Sequence, residues 1–99
     1  MKSDDLNLLY HASLEFGENW LRPLTEWAAE LFPEMGAAER GEISAYIEHT
    51  RGEIENYVAE HCPAARESVK RWIHKQYPWM DEDNVSRGYS QGMYYAWHG

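Results

Sequence analysis

The sequence predicts an all-α protein, a single-domain bundle of four to five short antiparallel helices. Apolar residues recur at three- and four-residue steps along most of the chain, the mark of helices that each bury one face. No stretch alternates apolar and polar residues with the two-residue period of a half-buried strand. The 99 residues are enough for one core and too few for two.

The first segment places Leu6, Leu9, Tyr10, Leu14, Trp20, Leu21, Leu24, Trp27, Ala28 and Leu31 in helical phase. Ser3, followed by Asp4 and Asp5, suits a helix start, because a hydroxyl can cap a free amide and acids favour the dipole. Gly17 and Pro23 interrupt the phase. The reading is two helices, over about 4–16 and 20–32, with Pro23 in the opening turn of the second. One kinked helix is the alternative. Pro33 closes this unit.

The phase resumes near Ala38 with Ile43, Tyr46, Ile47, Thr50, Ile54, Tyr57, Val58 and His61, giving a helix over about 38–61. Pro63 suits the first position of the next helix, over about 64–76, where an amide donor is not needed. Ala65, Val69, Trp72 and Ile73 face inward on it, and Pro78 marks its end. The last helix, over about 82–97, starts with Glu82 and Asp83. Gly88, Gly92 and Ala96 form a small-residue column along it. Two interior glycines weaken a helix, so close approach of another element should offset them.

Charge and aromatics are sorted along the chain. The net charge is −8, yet residues 1–62 hold 13 acids against 4 bases, and residues 63–80 are net positive. Overall acidity argues against a nucleic-acid binder, which needs a basic footprint. The basic helix with Arg66, Lys70, Arg71 and Lys75 is a local exception, able to form a phosphate-contacting stripe. All seven leucines lie between Leu6 and Leu31, whereas seven of the fourteen aromatics lie in the last 28 residues.

Chemical motifs are weak. Gly88-Tyr89-Ser90-Gln91-Gly92 matches the G-x-S-x-G nucleophile elbow, but that motif needs a preceding strand, and none is predicted here. His11 with Glu15 and His49 with Glu53 are four apart, which supplies two ligands each and no metal site. Cys62 stands alone, with no resolving cysteine. Asp81-Glu82-Asp83-Asn84 lacks the glycine and terminal glutamate of a calcium loop. No catalytic residue, cofactor or metal is expected. One cysteine, no run long enough for a membrane span and an acidic start where a signal peptide needs apolar residues point to a cytoplasmic setting.

The leading functional expectation is a non-enzymatic protein-protein interaction module. Its contact surface would be aromatic, using Trp79, Tyr89, Tyr94, Tyr95 and Trp97, because Trp and Tyr favour half-buried, interfacial positions. The acidic body would steer it to a basic protein, and a homodimer is a further candidate. The alternative is an acidic inhibitor or immunity-type protein that masks a basic nucleic-acid-binding partner. Glu26, Glu30 and Glu34, four apart on one helix face, would carry that role. A small nucleic-acid-associated regulator using the basic helix is the second alternative.

Overall fold

The computed structural model describes residues 2–14, 22–61 and 65–98, with Trp97 and His98 described by backbone alone. Its elements are α1 (Ser3–Ser13), α2 (Leu24–Leu31), α3 (Ala37–Glu60), α4 (Arg66–Gln76) and α5 (Glu82–His98). The fold is an all-α bundle, and no strand occurs among the described residues. Trp20, Leu21, Cys62 and Pro63 lie outside the described residues, as do the ends predicted for the first, second and fourth helices.

Local chemistry sets most helix ends. Lys2, not Ser3, is the N-cap of α1; Ser3 is the first helical residue, and its carbonyl accepts from Asn7 Nδ2 at 3.0 Å. Two separate helices replace the kinked alternative, and Pro23 stands just before α2 as its N-cap rather than inside its first turn. At the start of α5, Asp81 Oδ1 accepts the Asn84 amide at 2.8 Å, which caps the helix.

The ends of α2 and α4 share one device. Each last turn is followed by an aromatic residue and then proline, Phe32-Pro33 and Tyr77-Pro78. Proline disfavours the α region for the residue before it. Phe32 accordingly sits at φ −127°, ψ 65° and Tyr77 at φ −130°, ψ 72°. Both rings turn into the core instead of extending the helix.

Helix α3 is the spine, about 36 Å long at 1.5 Å per residue. It reaches most of the 41 Å longest extent of the molecule. Its most extensive partner is α5. A Cβ on Gly88 would lie 3.7 Å from Ile54 Cδ1, and one on Gly92 would lie 2.9 Å from Val58 Cγ2. The contact therefore advances in the same direction on both helices, so α3 and α5 run parallel. Helix α4 reverses between them: Tyr57 stacks on Trp72 at 4.1 Å, while Tyr77 at the far end of α4 meets Thr50. From α3 onward, neighbours in sequence are antiparallel, and the most extensive helix pair is parallel.

The core comprises Leu6, Leu9 and Tyr10 from α1, Ala28 from α2, and Ile43, Ile47, Ile54 and Val58 from α3. Val69 and Ile73 of α4 and Val85 of α5 close it. Their spacing is the three- and four-residue period of the sequence. No described helix is long and apolar enough to cross a membrane.

Candidate functional site

The predicted aromatic surface divides. Trp79 is partly buried and packs against the core rather than standing clear of it. Its Nε1 donates to Tyr46 Oη at 2.9 Å, and its ring lies within 6.4 Å of Tyr10, Tyr46 and Tyr77. The physical reason is the turn after Pro78, which folds residues 77–80 back over α3. Tyr89 is partly buried against the core, with the Arg66 guanidinium 5.9 Å from its ring centre. Tyr94 is 51% exposed and meets Tyr95 edge to face at 5.6 Å. The Trp97 side chain lies outside the described residues.

The small-residue column packs as its glycines require. The space a Gly88 side chain would take is filled by Tyr10 Oη, 2.6 Å from an ideal Cβ, and the corresponding space at Gly92 by Val58. Ala96 is partly buried against the same core. The G-x-S-x-G match therefore lies inside a helix, with Ser90 exposed and no strand before it.

The predicted acidic face is not assembled as expected. Glu26 and Glu30 lie on α2, but α2 ends at Leu31, and Glu34 lies in the following turn. Pro33 is the cause, through its effect on Phe32. Arg22 bridges the two helical glutamates, 3.5 Å from Glu26 Oε2 and 2.6 Å from Glu30 Oε2. That cation partly neutralises the pair.

The basic helix is also partly engaged. Lys70 Nζ is 3.5 Å from Glu82 Oε2, and His74 Nε2 is 2.6 Å from Glu82 Oε1. The hydrogen bond from His74, helped by the Lys70 charge, holds the Glu82 carboxyl below the usual glutamate range. Arg66 faces Tyr89, and Arg71 and Lys75 are exposed.

The histidines disperse. His11 Nδ1 lies 3.8 Å from Asp83, His49 pairs with Glu53, and His61 Nδ1 is 2.8 Å from the Tyr57 carbonyl oxygen. His61, though in the apolar phase of α3, is exposed, and its ring stacks on Tyr57 at 4.1 Å. Among the described residues no group of three metal-ligating side chains occurs.

A different face gathers carboxylates, and it was not singled out in the sequence. Its centre is Leu8, 47% exposed on α1. Leu8 forms the common wall of two concavities. The larger, about 610 Å³, has a floor of Leu31, Phe32, Met35 and Ile43 and a border of Lys2, Asp5, Glu34 and Glu39. The smaller, about 370 Å³, is bordered by Asp4, His11, Asp81 and Asp83. Six carboxylates thus surround one exposed leucine, with Lys2 the one lysine in either border. Arg87 shares Asp83 at 2.9 Å. The elements that contribute are far apart in sequence, which is why charge spacing along one helix does not reveal them.

The polar node beneath this face holds it in shape. Asn7 Nδ2 donates to the Trp79 carbonyl at 2.8 Å, and Asn7 Oδ1 accepts the Asp81 amide at 2.9 Å. Asn84, only 2% exposed, donates from Nδ2 to both oxygens of Asn7. These bonds fix the start of α5 against α1 and so place Asp81 and Asp83 beside Leu8. Comparison with family models, curated proteins and solved structures finds no match to this chain.

Proposed function

We propose that this chain is a non-catalytic protein-binding module that engages a basic protein through the acidic face around Leu8. The observation that carries the reading is that face itself: an exposed leucine with six carboxylates around it. Apolar centres with charged borders are the common anatomy of protein interfaces, and a border of one sign selects and steers a partner of the other. In this reading the setting is the cytoplasm, since one cysteine leaves no internal disulfide to form.

The test compares variants in their affinity for a lysine-rich peptide. Neutralising Asp5, Glu34 and Glu39 to their amides should weaken binding and flatten its salt dependence, whereas Tyr94→Ala should leave it unchanged. The opposite pattern would favour a second reading, in which the exposed Tyr94 and its neighbour Tyr95 form the contact surface, with a partner or with a second copy of the chain. Masking of a nucleic-acid-binding protein is one use of the acidic face, as carboxylates can occupy positions where phosphates would bind.

A further inference from the structure

We infer that the larger concavity beside Leu8 docks an amphipathic helix of the basic partner, with an apolar side chain inserted and flanking lysines or arginines on the border carboxylates. This rests on the reading above and names the form of the partner. The floor and the border differ in chemistry. Leu8, Leu31 and Met35 offer apolar contact in front of the buried Phe32 and Ile43, and Asp5, Glu34 and Glu39 outnumber the single ammonium of Lys2. A purely ionic partner would leave the apolar centre uncovered, and a neutral apolar one would gain no attraction from the three border carboxylates. A segment with both characters satisfies both parts.

The concavity is also built to keep its shape. The Arg40 guanidinium donates to the Met35 carbonyl at 2.7 Å, and the Met35 amide donates to the Phe32 carbonyl at 3.1 Å. Pro33 fixes Phe32 in turn. A wall held in this way loses little freedom on binding. Its size falls within the roughly 300–1,000 Å³ of clefts that enclose ligand groups. Helical walls, with no strand among the described residues, leave no sheet edge there for strand addition, and an amphipathic helix matches an apolar centre between charged borders.

Fluorescence anisotropy with three labelled peptides tests the inference on the full chain. One carries leucines and lysines at helical spacing, one is a scrambled isomer without an apolar face, and one has glutamates for the lysines. The amphipathic lysine peptide should bind about tenfold more tightly than its isomer. Leu8→Ala should remove most of that advantage while leaving the isomer unaffected, and Glu39→Lys should weaken both lysine peptides. Both positions are solvent-exposed, and circular dichroism verifies that each variant keeps its fold. Equal binding of the two isomers would overturn the helix-docking inference and leave the basic-partner reading standing. Equal binding of the glutamate peptide would overturn both. A concentration-dependent dimer in light scattering, abolished by Leu8→Ala, would overturn the inference in favour of a second copy as occupant.

Discussion

The side-chain amide of Asn84 donates to the backbone oxygen of Asn7 at 2.9 Å and to its side-chain oxygen at 3.1 Å, joining α5 to α1 across 77 positions of sequence. Asn84 is buried, so its loss would remove one hydrogen-bond donor from each of two Asn7 oxygens, of which Oδ1 keeps the Asp81 amide. Asn84→Ala should destabilise the fold by about 1–3 kcal/mol, seen as a lower midpoint in urea. A cycle with Asn7→Ala should show the two losses to be non-additive, with a coupling of about 0.5–3 kcal/mol. Additive losses would show that the pair does not act as one unit.

The glycines of the long helices should respond in opposite ways. Gly88→Ala and Gly92→Ala place a methyl against Tyr10 and Val58, both tightly buried, at separations that require the neighbours to move. Overpacking of about 1–3 kcal/mol should exceed the roughly 1 kcal/mol that alanine gains in helix propensity, and Tm should fall. Gly52→Ala on α3 meets nothing within 4 Å. It should raise stability by about 0.5–1 kcal/mol in the same assay.

Glu82 gives a pH signature. Because the His74 hydrogen bond and the Lys70 charge depress its folded pKa, its contribution to stability is complete above the ordinary glutamate value and is lost as pH falls through the depressed one. A carboxyl-resolved NMR titration should place its midpoint below that of a free glutamate. His74→Gln should move the midpoint upward. An unchanged midpoint would mean that the contact contributes nothing in solution.

Two aromatics should separate structure from surface. Trp79→Phe removes the donor to Tyr46 Oη from a packed ring cluster and should cost about 1 kcal/mol or more in thermal unfolding. Tyr94→Ala removes a half-exposed ring and should stay within about 0.5 kcal/mol of the parent. Comparable losses would place Tyr94 in the core network as well.

The fold was legible because its determinants are local. The apolar phase of Ile43, Ile47, Ile54 and Val58 specifies one buried face of α3, and proline marks the ends of α2 and α4. The glycines of α5 announced a close approach, though not that Tyr10 and Val58 would be the neighbours. The candidate site was less legible. Glu34 looked like the next turn of an acidic helix face, and Pro33 takes it off that helix. Trp79 reads as an interface residue, and the turn at Pro78 packs it partly against the core. Leu8 stands outside the core phase of α1, and its significance depends on Glu34, Glu39, Asp81 and Asp83 arriving from other elements. Contacts between distant segments leave no period in the sequence.

The most direct test of the basic-partner reading is an amide chemical-shift map of the ¹⁵N-labelled chain titrated with the amphipathic lysine peptide. The account predicts that the shifted resonances cluster at Asp5, Leu8, Leu31, Met35 and Glu39. Shifts centred on Tyr94 and Tyr95, with the α1 resonances unmoved, would contradict it.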